Sequence, residues 1–418
     1  MSISTAGYNP FFVHASARSG STYVFGVLRR YSSLVCFNEA IIDGKLDYAD
    51  FSRASDHAPQ SSVSKRWDVN HHFLDREDYE EFLDAWDDVM HLCPEFPTFL
   101  DYLPTDGVMR PDLVTYLGGL MKFARGQNKR PALCEINSRG RAGALRDTFG
   151  GYHVTQFRNP LSQFGSFVRA LIDGGTWGFL SHPVTELGVN ASHPLYLLLP
   201  QQWRVPNFPW RADTRAHRWG SDARYIAFTA STQPDAAERL FRWHMFAWLL
   251  NNLVAICFSD LSLDVDKAHD DAGYRATVAA ALAAELGAPP DFSDISKFER
   301  YYEFESFDMA KICGQVVDAV RGAAEEGRLD TAVRTLSAKP PVVAATQAAE
   351  LLIGKIRESV DAMAASSVRR RVSAAEWAKL STSNRKLWHQ PGIRWVAEQI
   401  YPLAAPVGRI VRRVGLPI

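Results

Sequence analysis

The chain has 418 residues, 46% of them hydrophobic, and a formal net charge of -1 with acids and bases mixed along its length. That length suits one large core with a smaller appendage, because single domains seldom exceed ~250 to 300 residues, and the near-zero charge excludes a global field that would draw the protein onto nucleic acid, so any anion site is local. The five cysteines, Cys36, Cys93, Cys134, Cys257 and Cys313, are spaced unlike a zinc site or a disulfide framework and read as reduced and mostly core, with no metal site expected.

Residues 1–10 have neither the basic nor the apolar stretch of a signal peptide, so none is expected. Phe11–His14 reads as a strand that ends in a small-residue loop and is followed by a helical stretch over residues 23–31, with Val24, Val27 and Leu28 on one face. Glu39, in Phe37-Asn38-Glu39-Ala40, falls where a second strand should end. Residues 132–136 and 152–157 are further apolar runs, each leading into a polar loop and a helix-like segment. Such alternation predicts an α/β domain with a mostly parallel sheet flanked by helices.

Between residues 174 and 230 the periodicity dissolves into Trp177, Phe179, Trp203, Phe208, Trp210, Trp219 and Tyr225 among Pro, His and Arg. An irregular stretch of this length reads as a functional insertion. Its aromatic faces suit a sugar ring or a lipid chain, with simple packing of the insertion an equal alternative. The run over residues 245–258 is broken by Asn251 and Asn252 and is shorter than the ~20 residues that span a bilayer. Residues 249–258 read as the end of a helix running into another strand, and residues 273–286 as an Ala-rich helix stopped by Gly287 and the Pro289-Pro290 pair.

After Lys339-Pro340-Pro341 the composition shifts to Ala, Arg and Ser, with helical spacing at Leu352, Ile356, Val360 and Met363. A boundary is expected there, separating a domain over residues 1–340 from a helical extension over residues 341–418. The tail over residues 392–418 mixes Trp395, Ile400, Val407, Ile410, Val411 and Val414 with Arg394, Arg409, Arg412 and Arg413. It suits a membrane surface or self-association through a partner subunit, docking on its own domain being the alternative. A cytoplasmic protein, peripherally attached to a membrane if the tail so directs, is the expectation.

Two loops carry the chemistry. Ala15-Ser16-Ala17-Arg18-Ser19-Gly20-Ser21-Thr22 lies between the first strand and the first helix, where backbone N–H groups and a helix N-terminus form an anion cradle. Aligned on the end of a Walker A loop, it has Ser21 in place of the lysine and no opening glycine, which disfavours nucleoside triphosphate hydrolysis. Arg18 restores a cation beside Ser19, Ser21 and Thr22. Arg158-Asn159-Pro160 closes the run over residues 152–157, and Ser166 lies eight positions after Arg158, two turns into the next helix. The arginine as a fork and the serine as a hydroxyl donor could converge on one dianion.

Arg-Ser-Gly-Ser-Thr after a Phe-Phe-Val strand resembles the 5'-phosphosulfate loop of sulfotransferases that use 3'-phosphoadenosine 5'-phosphosulfate (PAPS). Arg158 and Ser166 are similar to that family's 3'-phosphate motif, Arg-x-Pro and then Ser at the same offset. The resemblance implies a P-loop NTPase-like fold over roughly residues 10–330. It implies PAPS as donor, held by Arg18, Ser19, Gly20, Ser21, Thr22, Arg158 and Ser166, and sulfuryl transfer to a carbohydrate, lipid or other small-molecule acceptor with no obligatory metal. The likeness is strongest to bacterial carbohydrate or lipid sulfotransferases and to the sulfotransferase domains of Golgi enzymes. The chain lacks the carboxy-proximal Gly-rich basic segment of cytosolic sulfotransferases, and it has no lysine over residues 134–140, where several relatives place one. That region offers Glu135, Asn137, Arg139 and Arg141 in its place.

Transfer to a hydroxyl or amine needs a base near the nucleophile. The resembling bacterial and Golgi enzymes carry a catalytic glutamate at about the distance of Glu39 after the loop, which favours Glu39; the pair His71-His72 is the alternative, since histidine titrates near neutrality and the cytosolic branch uses one. Two rival readings stand beside the transferase: a P-loop-like kinase or nucleotidase with a degenerate loop, and a non-catalytic adenine-nucleotide-binding module.

Overall fold

A computed structural model of the chain describes residues 9–42, 80–94, 102–174, 178–205, 235–297 and 299–380. Its centre is a five-stranded sheet of β1 (Phe11–His14), β2 (Leu34–Asn38), β3 (Arg130–Glu135), β4 (Tyr152–Phe157) and β5 (Leu261–Asp264), in spatial order β2-β3-β1-β4-β5. Every pairing is parallel, with His14 of β1 opposite Glu135 on one side and Thr155 on the other. β1 is buried at all four positions, two of them Phe, as a central strand covered on both faces requires.

Parallel strands need crossovers, and these are helices on both faces of the sheet. On one face α1 (Ser21–Arg29) presents Val24, Phe25 and Leu28 to Val13, Cys36 and Val154, as the spacing of its apolar residues predicts. On the other, α2 (Pro111–Gly126) and α3 (Ala142–Phe149) place Leu117, Leu120 and Leu145 against Phe12, Phe37 and Leu133. The connections after β1 and β4 lead to opposite edges of the sheet. The crevice between the carboxyl ends of those two strands is therefore the switch point at which open α/β sheets bind ligands.

Beyond β4 a helical layer forms the largest core cluster. It contains α4 (Pro160–Gly174), α5 (Gly178–Val189) and α6 (Ala236–Cys257). α7 (Val265–Asp270) and α8 (Ala272–Leu286) follow β5, α8 ending at the left-handed Gly287 as expected. As expected, residues 249–258 are the end of a helix that leads into a strand: α6 runs to Cys257 and β5 begins at Leu261. Because α6 is packed on all sides, its apolar residues show no single stripe.

The chain continues through β6 (Tyr301–Phe304), α9 (Met309–Glu325), α10 (Arg328–Arg334), α11 (Ala345–Ala365) and β7 (Arg369–Val372), which pairs parallel with β6. The boundary expected after residue 340 falls between α10 and α11, yet α11 lies in the same core as α6. Ala345, Ala348, Leu352, Ile353 and Ile356 are all fully buried there. Residues 345–377 thus belong to the body of the fold, and Trp377 closes its edge against Phe304. Among the described residues, no helix is long and apolar enough to cross a membrane.

Candidate functional site

The loop after β1 is held from three directions. The backbone N–H of Ala15 donates to the Glu135 carbonyl at 2.8 Å, extending sheet pairing one residue past β1. Within the loop, the Ser19 hydroxyl donates to the Ser16 carbonyl at 2.7 Å. From β4, the Gln156 amide donates to the Ser19 carbonyl at 2.8 Å. From α4, the Gln163 amide donates to the Ser16 hydroxyl at 2.7 Å and to the Ala17 carbonyl. With these carbonyls engaged from outside, the loop cannot relax toward an ordinary turn.

Two loop residues are left-handed, Arg18 at φ 62° and Gly20 at φ 87°. Gly20 is also the residue from which α1 starts; a Cβ there would meet the Gln156 amide nitrogen at 3.4 Å, an ordinary contact, so it is the left-handed backbone that calls for glycine. No side chain caps α1 and its first turn holds no acid, which leaves the positive end of the helix directed at the loop.

Arg18 and Arg158 come together over this cradle. The Arg18 Nε donates to Ser166 Oγ at 3.0 Å, and its guanidinium lies 5.6 Å from the centre of the Phe179 ring. Arg158 donates from Nη1 to the Arg18 carbonyl at 3.1 Å and from Nη2 to Ser162 Oγ at 2.6 Å. The expected pairing of Arg158 with Ser166 on one dianion is rearranged here: each arginine takes one of two serines a helical turn apart on α4. Arg158 is 7% exposed, and its burial pulls the guanidinium below its ordinary pKa, with Asp266 and Tyr301 acting against that shift.

Below the arginines, Asn159 ties the loop to three elements. Its N–H donates to Asp266 Oδ2 at 2.5 Å, its side-chain amide donates to the Tyr301 hydroxyl at 3.1 Å, and its Oδ1 accepts from the Ser162 N–H at 2.9 Å. The last contact caps α4, which opens on Pro160.

Glu39 stands immediately past β2, at φ 54°, with its N–H donating to the Cys134 carbonyl at 2.8 Å. The Glu135 carboxylate fixes the turn that follows, accepting from Ala40 N–H at 2.7 Å and Ile41 N–H at 3.0 Å. Four described residues other than glycine have positive φ: Arg18, Glu39, Asp106 and Asn128. Asn and Asp tolerate this region, whereas Arg and Glu rarely adopt it, so the strain at Arg18 and Glu39 is imposed by their surroundings. β3 separates β2 from β1, which puts the two loops about two strand spacings, ~10 Å, apart.

The residues that stand after β3 where several relatives place a lysine are engaged with neighbouring elements. Arg139 pairs with Glu186 of α5 at 3.2 Å, and the other Glu186 oxygen accepts from Asn251 of α6 at 2.8 Å. Arg141 donates to the Asn137 carbonyl and packs over Tyr102, while Asn137 donates to the Ile41 carbonyl at 3.0 Å. Arg139, Arg141, Asn137 and Glu135 are all buried. Beside them a chain of hydrogen bonds runs through two fully buried histidines, from Ser138 Oγ to His14 Nδ1 (2.7 Å), from His14 Nε2 to His153 Nδ1 (2.9 Å), and from His153 Nε2 to the Gly150 carbonyl (3.0 Å). The carbonyl can only accept, so His153 carries its proton on Nε2 and His14 on Nε2, leaving the Ser138 proton directed at His14.

The structure therefore gathers Arg18, Ser19, Gly20, Ser21, Thr22, Arg158 and Ser166 at one crevice, with Glu39 on the same edge of the sheet. His71 and His72 lie outside the described residues, as do Trp177, Phe208, Trp210, Trp219, Tyr225 and the tail over residues 392–418. Ser162, Gln156, Gln163 and Asp266 were not anticipated. Ser162 alone carried a usable signal, since it sits one turn before Ser166 on the same helix face. What the fold and site define is a parallel α/β domain with two arginines gathered over a loop and a helix N-terminus at its switch point. Comparison with protein-family models, curated proteins and solved structures finds no match to this chain.

Proposed function

We propose that this protein is a P-loop-like sulfotransferase that moves a sulfuryl group from PAPS to a hydroxyl or amine of a carbohydrate, lipid or other small molecule. One observation carries the reading: the loop after β1 and the loop after β4 meet through Arg18–Ser166 and Arg158–Arg18 contacts, which joins the two motifs that resemble the 5'- and 3'-phosphate sites of that family. Two cations and a helix N-terminus suit a donor with two separate anionic groups. The absence of the Walker lysine weighs against a triphosphate.

In this reading the loop N–H groups and Arg18 receive the charge that gathers on the bridging phosphate oxygen as the S–O bond breaks. Arg158, with Ser162 and Ser166 beside it, selects the 3'-phosphate. Glu39 takes the acceptor's proton as the new O–S or N–S bond forms, and the ~10 Å between the two loops leaves room for the sulfuryl group and the acceptor atom. The leaving group is 3',5'-ADP.

The test is calorimetric binding of 3',5'-ADP and 5'-AMP, followed by incubation with sulfur-labelled PAPS and a metabolite extract. Preference for the bisphosphate and a labelled product are expected. Equal affinity for the two nucleotides, or magnesium-dependent ATP turnover, would overturn the reading.

A further inference from the structure

Lys355 lies on α11, more than 80 residues beyond β5 in the chain, yet its ammonium is buried beside the Arg158 loop. Its Nζ is 2.8 Å from both oxygens of Asp264, the last residue of β5, and 3.3 Å from Asp266 Oδ2. All three side chains are nearly excluded from solvent, at 8%, 11% and 6% exposure. The same Asp266 oxygen receives the Asn159 N–H, so a continuous path runs from the α11 ammonium through one carboxylate to the peptide that follows Arg158.

Two carboxylates this close to an anion site are a liability. In a buried setting their field would repel an incoming phosphate and draw the Arg158 guanidinium toward Asp266. Lys355 is the cation that offsets them. Resting on the reading of Arg158 as a 3'-phosphate ligand, we propose that Lys355 is a positioning residue: it neutralises the Asp264–Asp266 pair so that Arg158 stays available to a dianion, and it makes nucleotide discrimination depend on the helix after residue 340.

The proposal concerns charge as well as shape, and a charge series separates the two. One ammonium faces two carboxylates. Lys355→Met leaves both carboxylates without it, the double variant Lys355→Met/Asp264→Asn restores the original balance with no ammonium, and Asp264→Asn alone shifts the balance toward positive. Asn is as good a helix cap as Asp, so the start of α7 survives the change. Binding of 3',5'-ADP and of 5'-AMP is measured by calorimetry on full-length protein at two salt concentrations, with circular dichroism to confirm folding.

Lys355→Met should weaken 3',5'-ADP about tenfold or more and 5'-AMP much less, the gap narrowing at high salt. The double variant should recover most of the loss, and Asp264→Asn should bind 3',5'-ADP at least as tightly as the natural protein. Loss of both nucleotides alike in Lys355→Met, or a double variant no better than the single one, would overturn the proposal. Should Lys355→Met fail to fold, Asp264→Asn decides: weakened 3',5'-ADP binding there sinks the idea. A natural protein that does not prefer 3',5'-ADP would instead overturn the assignment of Arg158, a distinguishable result.

Discussion

Arg18 and Glu39 share a conformation their residue types avoid, and their surroundings enforce it. Arg18 is clamped between loop carbonyls held by Gln156 and Gln163, while Glu39 precedes a turn whose N–H groups are bound by Glu135. In the proposed reaction they act at different steps, and variants should separate them. Glu39→Gln keeps the shape and removes the base, so donor affinity should stay within about twofold while turnover falls ~10² to 10⁴-fold. Arg18→Ala should weaken donor binding and turnover together, because its charge is used in both states. Calorimetry with 3',5'-ADP and single-turnover transfer check this. Near-native turnover in Glu39→Gln, with His71→Ala or His72→Ala inactive but still binding donor, would move the base to a histidine.

At the level of elements, α11 is where sequence pattern and fold diverge. Its apolar spacing at Leu352, Ile356 and Met363 was legible as a helix, as were β1, β4, α1 and α8, whose periodicity or stop signals are local. What it packs against was not legible, because burial of Ala345, Ala348 and Ile353 depends on α6 and α9, which come from distant parts of the chain. The same holds for the site: the loop residues announce themselves by type, whereas Gln156, Gln163 and Lys355 act only through tertiary neighbours. Truncation tests the point. Cutting after residue 339 removes the buried face of α11 and Lys355, so an aggregated or molten product is expected, given ~1.5 to 3 kcal/mol for each large apolar side chain left without its cover. Cutting after residue 380 spares that core, so the product should still unfold cooperatively. Soluble, cooperatively unfolding protein from the shorter chain would show that α11 is an appendage.

For the molecule as a whole, the buried histidines set how it responds to acid. Burial pushes His153 down to about 4 and His14 well below its ordinary value, and His193 and His244 are likewise lowered to about 4 by burial. Each is neutral in the folded protein and titrates near 6.5 when unfolded. Between those values the unfolded chain takes up protons that the fold refuses, so stability is fully present above about pH 6.5 and declines as pH falls toward 4. Glu186 and Asp264, raised by burial, oppose this, but Arg139 and Lys355 hold their shifts back. The urea midpoint should therefore hold level from pH 7.5 to about pH 6.5 and fall from there to pH 5, before most carboxylates titrate. Replacing His244, whose Nε2 bonds the Pro160 carbonyl at 3.0 Å, by Gln should make that fall shallower by about one proton, because the slope counts the protons bound on unfolding. The His14–His153 chain should then account for much of the remainder, since a proton on His153 Nδ1 faces the N–H of His14 Nε2 and a proton on His14 Nδ1 displaces the Ser138 donor, both out of reach of water. A midpoint that stays flat over this range, or a His244→Gln slope equal to that of the natural protein, would show that these imidazoles do not remain neutral in the fold.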